Sequence, residues 1–236
     1  MRWLDRTLGS AAENLALDEA LLLEAEAGRS GEVLRFWEWS TLAVVLGSGG
    51  KLGEDVEDNT CTRDGVQVLR RSSGGGTVLL GQGCLCFSLV LALERDPRLS
   101  EIRSSYDAIL GRIIDAFALP GLEIAGISDL ILDGRKFSGN AQQRKRHHIL
   151  HHGTLLYQFD LSMVPRYLRQ PVRQPEYRAD RAHADFIRNL ERPRAWLVET
   201  LRLAWRAEQP LDTWPAEEVA RLVETKYSLA EWVRRR

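Results

Sequence analysis

The 236-residue sequence predicts an α+β fold, a mixed and largely antiparallel sheet flanked by helices, and three features predict it. Helix-like and strand-like stretches alternate without an internal repeat or a low-complexity tract. The strand-like runs are short and are closed by glycines. The pair Asp133-Gly134 sits between two of them as a two-residue hairpin turn, a connection open only to antiparallel strands. With 44% hydrophobic residues the chain has enough apolar side chains for a proper core.

The elements follow in order. The stretch 1–28, with Asn14, Asp18 and Glu19 among its apolar positions, reads as an amphipathic helix. "VLRFWEW" and "LAVVLG" are core strands closed by the glycines at 47, 49 and 50. "VQVLRR" and "TVLLGQGCLCFSLVLAL" are two more, one on each side of "SSGGG". "RSSYDAILGRIIDAFALPG" carries aliphatics at helical spacing and stops at Pro120-Gly121. "LEIAG", "SDLILDGRKFSG" and "HHILHHGTLLYQF" continue the sheet. Residues 166–193 are rich in arginine and hold three prolines, so they read as a surface excursion or mobile loop. Two helices close the chain, at 194–208 and 216–236, the first with Leu197, Leu201, Ala204 and Trp205 available for packing. No second domain is expected within residues 1–236.

Charge and cysteine usage bound the function. Lys plus Arg number 32 against 33 Asp plus Glu, so the net charge of −1 supplies no global attraction to nucleic acid or to an anionic membrane. No apolar run suffices for a membrane span and the first residues lack the layout of a secretion signal, so a cytoplasmic protein is expected. Three cysteines, Cys61, Cys84 and Cys86, do not make a disulfide framework. Cys84 and Cys86 fall on one side of a strand, where a cysteine is most often a small core residue.

Two stretches carry chemistry. "RRSSGGGTV", 70–78, puts three glycines between two arginines and a strand, more than a turn requires, which suggests that a ligand approaches the backbone closely. "SDLILDGRKFSGNAQ", 128–142, places Asp129 and Lys136 on strands joined by the hairpin turn, with Gly134, Ser138 and Gly139 leaving room beside the lysine. An ammonium makes a point contact with a carboxylate or phosphate oxygen. A solvated hairpin lysine paired with Asp129 or Asp133 is the plainer reading of that stretch taken alone.

Taken together, "RRSSGGGTV", "DGRKFSGNAQ" (133–142) and "HHGTLLY" (151–157) resemble the lipoate-protein ligase A family, within the wider group of biotin ligases and octanoyl transferases. "NLALDEALL", "VLRFWEWSTLAVVLG" and "LVETKYSLAEW" add to the likeness. The resemblance implies a biotin/lipoate ligase-like catalytic domain that activates lipoate or octanoate with ATP and Mg²⁺ and passes the acyl group to a lysine of a lipoyl carrier domain. The carrier would be an E2 subunit of a dehydrogenase complex or a glycine-cleavage H-like protein. It also implies site residues: Lys136 on the acyl carbonyl and phosphate oxygens, and Arg70, Ser72, Gly74, Gly75, Gly76 and Thr77 around the acyl-adenylate, with Arg71 helping or turned away. Asp129, Asn140, Ala141, His152, Gly153 and Thr154 would complete the pocket, with no protein-held metal.

The chain departs from the family pattern at Leu80 and Gly81, where a His-Asp pair is usual, and at Ser128, where Asn is frequent. Larger ligases add a C-terminal accessory domain that this length does not accommodate, so a separate accessory subunit is one expectation. Two rivals stand beside the ligase. A transferase working through a cysteine thioester needs a thiolate near Lys136, and no cysteine follows residue 86. A non-catalytic lipoate-binding module needs no activation chemistry; biotin transfer is disfavoured by "RRSS" before the glycines. The four histidines of "HHILHH" alternate on a strand, so they cannot converge on one metal ion. "QRKR", 143–146, is a solvated loop or a patch for an acidic carrier, and Arg173, Arg178 and Arg181 are exposed or form a lid. Trp37 and Trp39 are sheet residues that double as an apolar wall for an aliphatic tail.

Overall fold

A computed structural model describes residues 1–236. Its strands in chain order are β1 Arg2–Asp5, β2 Val33–Trp37, β3 Ala43–Leu46, β4 Gln67–Arg70, β5 Val78–Leu80, β6 Cys84–Ala92, β7 Leu122–Ala125, β8 Asp129–Leu132, β9 Arg135–Arg144, β10 His148–Leu156 and β11 Gln209–Pro210. Eight of them form one sheet in the order β11-β1-β2-β6-β10-β9-β8-β7, antiparallel except where β1 pairs with β11 and β2. The other three form a small sheet, β4-β3-β5. The longer helices are α1 Ala11–Glu26, α2 Ile102–Phe117, α3 Arg194–Trp205 and α4 Ala216–Leu222. The α+β class read from the sequence is the observed one, with two apolar cores on opposite faces of the large sheet. One core takes in α1, α4 and the small sheet, and the other takes in α2 and α3.

Helix α1 starts at Ser10, whose hydroxyl accepts from the Glu13 amide at 3.1 Å. Instead of showing one wet face it is buried around most of its circumference, because the C-terminal residues cover its outer side. Three of its buried residues are polar and each has partners. Asn14 accepts from Arg35 at 2.7 Å, Asp18 pairs with Arg35 at 2.5 Å, and Glu19 receives Lys226 at 2.8 Å and the Tyr227 hydroxyl at 2.7 Å. The final helix expected at 216–236 is broken: α4 runs into a π turn, Val223–Tyr227, which lets adjacent Lys226 and Tyr227 both reach Glu19.

Three local readings change. "TVLLGQGCLCFSLVLAL" is two strands, because Gly83 turns the chain at φ +85° against the backbone of Gln158. The Asp133-Gly134 turn forms as read, with φ of +51° and +72° at its two residues. Segment 166–193 is no plain surface excursion: Arg178, Phe186, Ile187 and Leu190 are buried, and the Arg188 amide donates to the Lys136 carbonyl at 2.8 Å. The guanidinium groups of Arg178 and Arg181 lie over the Phe186 ring, so charged side chains cover this aromatic. No helix is long and apolar enough to cross a membrane.

Candidate active site

Lys136 reaches its position through a defect in the sheet. Along β8 and β9 the pairing steps from Leu130 opposite Ser138 to Ile131 opposite Lys136, leaving Phe137 as an extra residue. The bulge sends Phe137 into the core with α2 and turns Lys136 to the face that carries Asp129, Gly139 and Thr154. There the Lys136 Nζ lies 2.8 Å from Asp129 Oδ1. The lysine stem folds over Gly139, where a Cβ would sit 2.8 Å from Nζ, so a larger residue there would displace the ammonium. Asp129 Oδ2 accepts from the Tyr177 hydroxyl at 2.6 Å, which occupies both carboxylate oxygens.

The glycine-rich turn faces this lysine across a cavity open to solvent. The amides of Gly74, Gly75, Gly76 and Thr77 donate to no group in the protein, and Gly75 holds φ +84°. Arg71 shapes the turn from behind: it donates to the carbonyls of Gly74 at 2.6 Å and Gly76 at 2.8 Å and to Ser73 Oγ at 3.0 Å. It lines the cavity with no carboxylate within ion-pair distance, and burial pulls its guanidinium down to about 10. Thr77 Oγ1 donates to Asp55 at 2.9 Å.

His152 sits on the cavity wall between Ser73 and Asp18. Its Nε2 is 2.5 Å from Ser73 Oγ and its Nδ1 is 3.8 Å from Asp18 Oδ2. Burial pushes the Asp18 carboxyl up, but Arg35 and His152 outweigh it and hold the group below the usual carboxylate range. The neighbouring His151 points to the opposite face, where burial holds its pKa down to about 3. The histidines therefore alternate as the sequence indicates, and no three His, Cys, Asp or Glu side chains converge on a possible metal position. Asn140 is fixed by its Nδ2 donating to the Ser128 carbonyl at 2.8 Å.

A second lobe shares Thr77, Val78, Lys136, Gly139 and Thr154 with the first. Its far side comes from segment 164–187, including Arg178 and His183. Arg178 is 4% exposed, has no acidic partner, and donates to the Gln170 side chain at 2.9 Å and the Arg181 carbonyl at 3.1 Å.

Of the residues singled out in the sequence, Gly75, Gly76, Thr77, Asp129, Lys136, Asn140, Ala141, His152, Gly153 and Thr154 line the first lobe. Arg70, Ser72 and Gly74 do not. Arg70 and Arg71 are consecutive at the end of an extended strand and point to opposite sides, and Arg70 takes the side away from the cavity. Fully buried, Arg70 donates to Gly47 at 2.9 Å, Gly50 at 2.7 Å and Val233 at 2.8 Å, tying the C-terminal residues to the 47–50 loop. Ser72 donates to Gln143 at 2.5 Å, and Gly74 contributes a carbonyl to Arg71. Sequence reasoning missed Asp18 and left Arg71 open. The signal for Asp18 was an acid inside an apolar helix matched by Arg35 inside an apolar strand, since a buried charge needs a partner. Cys86 and Trp37 also line the cavity, and burial beside Cys84 pushes the Cys86 thiol well above its ordinary range.

Residues 10–201 match the family described as lipoyl protein ligase A/B catalytic domain. The chain is 31% identical over 157 residues to a probable lipoate-protein ligase A of Mycoplasma pneumoniae, covering 66% of this chain and 45% of that protein. It is 31% identical over 186 residues to the octanoyltransferase LipM of Carboxydothermus hydrogenoformans, covering 71% and 69%. It thus spans less than half of the Mycoplasma protein. In three dimensions it resembles a chain from a bi-partite lipoate protein ligase and its E2 lipoyl domain from Thermoplasma acidophilum, with TM-score 0.80, 22% identity and coverage of 99% and 95%. Lipoate-protein ligase A bound with ATP gives TM-score 0.78, 24% identity and coverage of 99% and 98%. Both likenesses are of fold.

Proposed function

The chain belongs to the lipoyl protein ligase A/B catalytic-domain family, and within it we propose an ATP-dependent ligase that activates lipoate or octanoate and hands the acyl group to a lysine of a lipoyl carrier domain. The observation that carries this reading is the pairing, around one cavity, of unpaired amides at 75–77, the Lys136 ammonium and the acid-free Arg71 with apolar walls such as Leu15, Trp37 and Leu80. A fatty tail suits the walls, and an anionic head suits the donors.

In the first step a carboxylate oxygen of the acid bonds to the α-phosphorus of ATP, and the bond to pyrophosphate breaks. The amides and Arg71 would bear the charge that gathers on the phosphate oxygens, and Lys136 would hold the acyl carbonyl against them. In the second step the carrier amine bonds to the acyl carbon, AMP leaves, and the amine loses a proton to solvent. Asn140, Ala141, Gly153 and Thr154 would border the acyl-adenylate, and Arg178 in the second lobe would meet the nucleotide. Asp18 and Asp129 are both paired with cations, so Mg²⁺ would arrive on the phosphates of ATP rather than in a protein cage. Residues 1–236 would act as one catalytic domain.

A second reading, acyl transfer through a cysteine thioester without ATP, draws on Cys86 in the cavity wall and on the relative described as an octanoyltransferase. Against it, a thiol raised by burial is protonated at neutral pH and is a poor nucleophile.

The test uses the purified protein, Mg²⁺, lipoate or octanoate and an apo carrier domain, with carrier mass as readout. The expected result is modification that requires ATP and falls at least about 100-fold in Lys136→Ala, the scale of losing one stabiliser of developing charge. Modification from an acylated carrier donor without ATP, lost in Cys86→Ser, would establish the second reading instead.

A further inference from the structure

Tyr177 touches neither lobe of the cavity, yet it makes the one contact from segment 164–190 to the acid that holds Lys136. We propose that Tyr177 is a positioning residue: its hydroxyl shares the Asp129 carboxylate with Lys136, so that the ammonium stays available to the ligand and depends on how segment 164–190 is seated. The inference rests on the reading that Lys136 serves the acyl-transfer chemistry.

The geometry leaves the phenol little choice. Its ring packs on Phe186 with centroids 5.3 Å apart, and its edge lies beside Gly126. From that seat the hydroxyl meets Asp129 Oδ2 at 2.6 Å while Lys136 takes Oδ1 at 2.8 Å. The charged groups around the phenol are Asp129 on β8 and Arg178 and Arg181 on its own segment. Burial and then Asp129 push the phenol up, so it remains a donor at any working pH. Asp129 is 9% exposed, so water is a poor substitute for a lost donor.

A carboxylate that gives part of its charge to a phenol grips an ammonium less tightly than one facing it alone. Without the hydroxyl, Asp129 would keep Lys136 to itself and compete with the anionic head of the ligand. The same link makes the lysine sensitive to the segment, because Tyr177 has no other polar partner among the hydrogen bonds of its side chain.

The test is Tyr177→Phe, which keeps the ring against Phe186, alone and combined with Asp129→Asn. Trace acetylation of the protein without any substrate, read by peptide mass at Lys136 with Lys51, Lys145 and Lys226 as internal references, is expected to slow about threefold in Tyr177→Phe, a part of what one charge-assisted hydrogen bond is worth. In the Asp129→Asn background the same substitution should change nothing. In the transfer reaction kcat should fall about tenfold with KM within about twofold, again only while Asp129 is present. Unchanged or faster labelling in Tyr177→Phe, or equal losses with and without Asp129, would overturn the proposal. Labelling that moves as expected in a protein with no acyl-transfer activity would instead leave the positioning role standing and remove the ligase reading.

Discussion

The glycine-rich turn at 71–77 and segment 164–190 reach the same cavity from different sides, but one is held by buried charge and the other by rings and backbone carbonyls. Behind the turn, Ser73 contacts His152, His152 contacts Asp18, and Asp18 pairs with a fully buried Arg35. Ser72 reaches Gln143, and Glu19 anchors Lys226 and Tyr227. On the segment, Arg178 and Arg181 stack on Phe186, Arg181 donates to the Gly134 carbonyl, and Arg188 pairs with a largely exposed Asp133. The contrast separates two tasks. The turn, which holds its backbone amides at fixed positions, is braced by charges that cannot be left unpaired, whereas the segment is held by contacts that can open one at a time.

The largest effect is expected on the braced side. Asp18→Ala leaves Arg35 buried without its acid and should cost about 3–5 kcal/mol in urea unfolding. Asp18→Asn, which keeps the shape and one acceptor, should cost less. Exposed Asp133, paired with Arg188, should by contrast be worth under about 1 kcal/mol. Equal losses at Asp18 and Asp133 would remove the distinction between the two walls.

That distinction was only partly legible in the sequence. The glycines, the Asp133-Gly134 turn and the alternation of His151 and His152 could be read because each depends on local backbone geometry. The bulge at Phe137 left no trace in the hydrophobic pattern, since one extra residue between "LIL" and "SGN" looks like ordinary strand, yet it decides which face Lys136 takes. Arg70 is placed at the site and Arg71 left open by the sequence, because alternation says that neighbours diverge but not which one faces a ligand. The segment reads as a surface loop because its few buried apolar residues, such as Phe186, Ile187 and Leu190, are spaced among arginines whose guanidinium groups stack on Phe186, a pattern that composition scores as polar.

A middle-sized effect separates the charges of the sheet itself. His151 is neutral in the fold, with its pKa held down to about 3 from 6.5, so between those values the unfolded chain binds the extra proton. Its contribution is complete above pH 6.5 and is lost as pH falls, by at most about 1.4 kcal/mol per pH unit. Asp18 works in a lower window: its pKa lies below 3.8, so its contribution is lost only as pH falls further. His151→Gln should therefore flatten the stability curve between about pH 6 and 4.5 while leaving the steeper acid limb in place. His183, also held low by burial, keeps some of the slope in that variant. An identical slope with and without His151 would mean that its ring is protonated in the fold.

The smallest global effect, and the one that tests the movable wall most directly, is expected at Phe186. Truncating a phenylalanine that is 3% exposed would ordinarily cost about 3–5 kcal/mol. If segment 164–190 opens on its own, however, the folded reference for that ring is a local closed state whose stability caps the loss. Phe186→Ala should then lower the free energy of urea unfolding by less than about 1 kcal/mol, while trypsin cuts at Arg169, Arg173, Arg178 and Arg181 at a faster rate. A global loss of the full core value, with those sites no more open than before, would make the segment as integral as the turn and would erase the comparison. Carrying Tyr177→Phe into the same digestion sharpens it: that change keeps the ring and should leave the cutting rate near wild type, because Phe186 packing rather than the Asp129 hydrogen bond holds the segment closed.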